Sequence, residues 1–121
     1  MARVIVRHLE GKDGELRRDM CCIYDDDRRL EYATEALKRR LYTTVADLEL
    51  GGSLTSILDE AWRLTNSVDE AWYENTDILM DEATRKGCRS SSVGDVIEVA
   101  GESYMVAGFG FKHIDLGLGV A

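Results

Sequence analysis

The sequence predicts a single α+β domain, a mainly antiparallel sheet with two or three helices packed on it. Three observations point there. The hydrophobic period changes along the chain from two to roughly 3.6 and back. Glycine-containing turn signals, as at Gly51-Gly52 and Gly101, separate short apolar runs. Strands and helices alternate without the regular repeat that builds a parallel sheet. A length of 121 residues has room for one domain and one core.

The elements follow in order. Val4, Ile5 and Val6 stand between charged residues and read as a strand. Gly11 and Gly14 mark a loop. Met20, Cys22 and Tyr24 then alternate with Cys21 and Ile23, which predicts a second strand pairing with the first as a hairpin. Asp25-Asp26-Asp27 suits a helix start, where acids favour the positive end of the dipole. Leu30, Ala33, Thr34, Leu37 and Leu41 carry helical spacing, so residues 27–38 form an amphipathic helix. Tyr42, Thr43, Thr44 and Val45 return to strand formers and give a third strand over 40–49.

Ser53 caps the clearest helix, 53–65, whose face carries Leu54, Ile57, Leu58, Ala61, Trp62 and Thr65. That periodicity places Trp62 in the core, with an exposed partner patch shared with Trp72 and Tyr73 as the alternative. Residues 66–86 fit either a helix or an ordered loop pinned by Trp72 and Tyr73. If helical, Glu70, Glu74, Asp77 and Asp81 share a face, and Gly87 stands just past the end. The chain closes with strands near 95–99 and 103–108, followed by a tail over 114–121.

Charge is uneven. The net of −8 arises beyond residue 41, and most of it between 42 and 82, where ten acids face only Arg63. Nucleic-acid backbones demand Lys and Arg, so direct nucleic-acid binding is not expected. No apolar run is long enough for a membrane span, and no signal-peptide layout is visible. An odd cysteine count with Cys21 and Cys22 adjacent argues against a disulfide framework. A cytoplasmic setting is the expectation. On a strand the two cysteines point to opposite faces, which suits small buried hydrophobes and not one shared metal ion. Cys88 beside Arg89 is a candidate reactive thiol, with His8 or His113 as its base only if the fold brings them together.

The stretch "RSSSVGDVIEVAGESYMVAGFGF", 89–111, has the most designed look. Serine hydroxyls near Gly94 suggest a phosphate cradle. The glycine–lysine pattern and following helix of a phosphate loop are missing, however. The local reading is a hairpin. Ser92, Gly94 and Asp95 shape its entry, Gly101 turns it, and Gly108 and Gly110 form a bulge aiming Phe109 and Phe111 apart.

Ser90-x-Ser92-Val93-Gly94-Asp95-Val96, followed by Gly101, Tyr104, Val106 and Gly110-Phe111, resembles the C-terminal hairpin of small actinobacteriophage proteins of unknown function. Residues 61–75 resemble the helix and Trp-containing loop before that hairpin. A similar ending occurs in YodL-like domains of plasmids and integrative elements. The resemblance covers 41–113 and leaves 1–40 as a separate hairpin-plus-helix segment of the same domain. It implies a mobile-element origin and brings no catalytic residues or cofactor.

The functional expectation is therefore a non-enzymatic phage accessory protein in the cytoplasm of the infected host, binding and modulating a host bacterial protein. Trp72 and Tyr73 would anchor the partner, and Glu70, Glu74 and Asp77 would steer a basic one. The alternatives are an acidic DNA mimic that blocks a DNA-binding protein, and a small enzyme whose reaction the residues do not reveal.

Overall fold

Val4 and Val6 on one side of the first strand, against Arg3, Ile5 and Arg7 on the other, already mark a strand that is central to its sheet. The computed structural model describes residues 1–65 and 91–116. These form β1 (Ala2–Leu9), α1 (Glu15–Cys21), α2 (Asp26–Lys38), β2 (Tyr42–Leu50), α3 (Leu54–Leu64), β3 (Val96–Val99), β4 (Glu102–Val106) and β5 (Phe111–Ile114). A short 3-10 turn over Lys12–Gly14 leads into α1. The five strands lie in the order β2-β1-β3-β4-β5, every neighbouring pair antiparallel. The α+β class and the antiparallel sheet are as the sequence predicts.

The sheet buries both faces unequally. On one face Val4, Val6, Ala46, Leu48, Ile97, Val99 and Val106 pack under Ile57, Leu58 and Ala61 of α3. On the other, Leu9, Val96, Met105 and Ile114 meet Met20 of α1 and Ala33 and Ala36 of α2. Strand neighbours such as Val96 and Ile97 therefore serve opposite cores. Among the described residues, cover on the second face gathers at one end, around α1 and α2. Beyond it, Arg3 pairs with Asp47 at 2.8 Å and Arg7 with Glu98 at 2.9 Å, across adjacent strands. A bulge in the β1–β2 ladder falls between Val6 and Arg7.

Helix starts obey the sequence signals. Asp25 caps α2 by accepting from the Asp27 N–H at 2.9 Å, and Ser53 caps α3 by accepting from the Ser56 N–H at 3.3 Å. Asp26 reaches further. It accepts from the Gly108 N–H at 3.0 Å and pairs with Arg29 at 2.8 Å. The Gly108 N–H, with Arg29 behind it, holds the Asp26 carboxyl below the usual carboxylate range.

The structure departs from the sequence expectations at several elements. The strand placed around Met20–Tyr24 is the helix α1 and its exit. Leu16 and Met20, four apart, turn inward with Ile23, while Tyr24 is 93% exposed. An i, i+4 pair inside a run of good helix formers outweighs a short period-two pattern. Residues 1–40 hence hold no hairpin, and β1 pairs instead with β2 and β3. Cys21 and Cys22 are exposed, not buried. Trp62, expected in the core, is 38% exposed at the edge of the face of α3 that packs.

Gly108 and Gly110 do not bulge a strand. The strand ends at Val106 and turns, Ala107 N–H donating to the Gly110 carbonyl at 2.9 Å, and returns as β5. Ile114 is the buried last residue of β5 and not the start of the tail that the sequence predicts over 114–121.

Candidate functional site

In the loop entering β3, where the serines suggest a phosphate cradle, the polar groups of Ser91, Ser92, Gly94 and Asp95 have partners within the fold. Ser91 N–H donates to the Thr65 carbonyl at 2.8 Å, and Asp95 N–H to the Ser92 carbonyl at 3.0 Å. Gly94 N–H donates to Val106 O at 2.8 Å. Ser92 N–H donates to Asp95 Oδ2 at 2.7 Å, while Asp95 Oδ1 accepts from the Leu9 N–H at 3.0 Å. Asp95 is thus a buried carboxylate that ties the loop to the end of β1. Backbone donors spent in this way cannot also cradle an anion.

Gly94 has φ of +94°, and a Cβ there would stand 2.3 Å from Met20 Cγ. Its carbonyl accepts from the Tyr42 hydroxyl at 2.6 Å. Burial, and then the negative charge of Asp95, pushes the Tyr42 phenol above its ordinary pKa. Ser92 Oγ accepts from Arg17 at 3.2 Å. The hairpin reading of Ser92, Gly94 and Asp95 therefore rests on specific partners, and at the turn Ala100 and Gly101 have φ of +50° and +87°.

His8, Ser91, Thr65 and Asp95 form a buried polar cluster that the sequence did not announce. The direction of its hydrogen bonds can be fixed from one end. Thr65 Oγ1 donates to the Ala61 carbonyl at 2.8 Å, because a carbonyl only accepts. Ser91 Oγ then donates to Thr65 Oγ1 at 2.7 Å, and His8 Nε2 donates to Ser91 Oγ at 2.9 Å. A nucleophilic serine would give its proton to the imidazole. Here the serine proton points away from it, and Asp95 Oδ2 lies 3.9 Å from the same Nε2 and not across the ring. With His8 2% and Ser91 3% exposed, the cluster reads as a clasp that joins the end of α3 to the entry of β3.

Accessible chemistry lies beside this clasp. A groove of about 510 Å³ runs between α3 and the β4–β5 turn. Asp59 and Trp62 line one wall, residues 91–93 the floor, and Val106, Ala107, Gly108, Gly110 and Phe111 the other wall. Phe109 stands at the tip of that turn, 94% exposed. A phenyl ring so placed buries almost nothing in the fold. A second cavity of about 450 Å³ lies at the far end of β4 and β5, lined by Glu102, Ser103, His113 and Asp115 among others. There His113 pairs with Glu102 at 2.8 Å.

The predicted partner residues Trp72, Tyr73, Glu70, Glu74 and Asp77 lie outside the described residues, as does Cys88. Sequence reasoning favours the core for Trp62 over a surface patch, and it misses Phe109 as a surface aromatic. Its available signal was Gly108-Phe109-Gly110, since a ring between two glycines suits a turn tip better than a bulge. Among the described residues, no group of three or more His, Cys, Asp or Glu is placed to hold a metal ion, and no helix is long and apolar enough to cross a membrane. No family model, curated protein or solved structure matches the chain.

Proposed function

We propose that this chain is a phage accessory protein that works by binding a host bacterial protein. The observation that carries the reading is the pair of exposed aromatics, Phe109 at a hairpin tip and Trp62 on the wall of the adjoining groove. Aromatic side chains that the fold does not need are the residues that dominate protein interfaces. The groove gives a partner side chain a place to enter, and Phe109 gives the partner's own pocket something to receive. The buried His8–Ser91 clasp supports binding over hydrolysis, because its serine is sealed and its proton faces the wrong way.

The DNA-mimic reading gains little support from the described surface. Mimicry needs unpaired carboxylates in a row, roughly one charge per 1.7 Å of duplex axis. Asp47, Glu98, Asp26, Glu35 and Glu60 each pair with an arginine instead.

Affinity capture from an actinobacterial lysate tests the proposal. The full chain should retain a host protein that the Trp62→Ala, Phe109→Ser double variant releases, with the melting temperature unchanged. Equal capture by both proteins would overturn it. Retention of a DNA-binding enzyme that duplex DNA displaces would favour mimicry.

A further inference from the structure

Cys21 and Cys22 stand side by side where α1 ends. Both thiols are exposed. Cys21 is the last residue of α1, and Cys22 continues the helical backbone with φ of −81° and ψ of −8°. Its N–H donates to the Arg18 and Asp19 carbonyls at 3.1 and 3.2 Å. Successive residues on a helix diverge by about 100° around the axis, so the two side chains leave in different directions. Their Cα atoms, joined by one trans peptide, are about 3.8 Å apart, whereas a disulfide wants roughly 4.4–6.8 Å. Closing the pair on itself would require unwinding the last turn of α1. That turn is held by buried Met20, whose side chain lies where a Cβ on Gly94 would fall, and by the Ile23 N–H on the Met20 carbonyl at 3.1 Å.

We propose that Cys21 and Cys22 are two independent S-thiolation sites for small disulfides of the glutathione class. In each exchange the cysteine thiolate attacks one sulfur of the small disulfide. A protein–S–S–glutathione bond forms, the original S–S bond breaks, and the departing glutathione thiolate takes up the proton that the cysteine lost. The small disulfide is the oxidant, and one glutathione is released per cysteine capped. Helix α1 packs on the sheet face opposite α3, and neither Cys21 nor Cys22 lines the Trp62 groove. The site is thus separate from the proposed partner surface and does not rest on it.

Intact-mass measurement of the dilute full chain, carrying Cys88→Ser and incubated with excess oxidised glutathione near pH 8.5, tests this. The native protein should gain two glutathionyl groups, both removed by a thiol reductant, with its helical circular dichroism unchanged. Cys21→Ser and Cys22→Ser should each gain one. Loss of two hydrogens without an adduct would show an internal disulfide and overturn the proposal. A covalent dimer as main product, a single adduct, or none would also overturn it.

Discussion

At Gly94 one missing methyl group decides how the chain enters β3. A side chain there would have to accept φ of +94° and share space with buried Met20. Gly94→Ala should therefore cost about 2–4 kcal/mol, combining backbone strain with overpacking. Urea denaturation checks it, and a cost under about 0.5 kcal/mol would mean that Met20 simply moves aside. Tyr42, which donates to the Gly94 carbonyl, makes a pH-dependent contribution. Its folded pKa is raised, so its stabilisation is complete below the unfolded value of about 10 and is lost as pH climbs above it. Tyr42→Phe should cost about 1–2 kcal/mol near neutrality, from the carbonyl left without its donor. The gap between wild type and variant should shrink above about pH 10. A gap constant up to pH 11.5 would refute that role.

At the scale of elements, the turn between β3 and β4 is two residues long and both have positive φ. That backbone favours Asn-Gly, and here Ala100 precedes Gly101. Ala100→Asn should stabilise the protein by about 0.5–1 kcal/mol, visible as a higher melting temperature. No gain would mean the Ala100 backbone is less strained than its φ implies. Strands β1 to β4 and helices α2 and α3 were legible because each has a sustained period and a recognisable boundary, such as Asp25 or Ser53. Helix α1 was not. Only Leu16, Met20 and Ile23 face inward, and the period-two pattern of Cys22 and Tyr24 belonged to residues that face solvent. The β4–β5 turn is ambiguous in the sequence for a related reason. Two glycines near a strand fit a bulge as well as a turn, and only the return pairing of Phe111 with Val106 decides between them.

Across the whole molecule, the sheet's two cores explain what is left for function. Helix α3 covers Val4, Val6, Ile97 and Val99, and the groove opens where its wall at Asp59 and Trp62 faces the β4–β5 turn. The buried clasp of His8, Ser91 and Thr65 ties one wall to the floor, since it fixes the end of α3 against the entry to β3. None of this was legible in the sequence, where His8, Thr65 and Ser91 lie far apart and nothing marks them as neighbours. Trp62 could not be placed either, because it sits at the edge of the amphipathic stripe, where a slight rotation of the helix decides burial.

The most direct test of the account is the affinity of a captured host partner for single-site variants of the groove. Trp62→Ala and Phe109→Ala should each weaken binding about 30-fold or more, the effect of losing roughly 2 kcal/mol at an interface anchor. His113→Ala, in the other cavity, should leave the affinity unchanged. Unchanged affinity in both aromatic variants, or a large loss at His113, would contradict the claim that this groove and turn tip are where the protein acts.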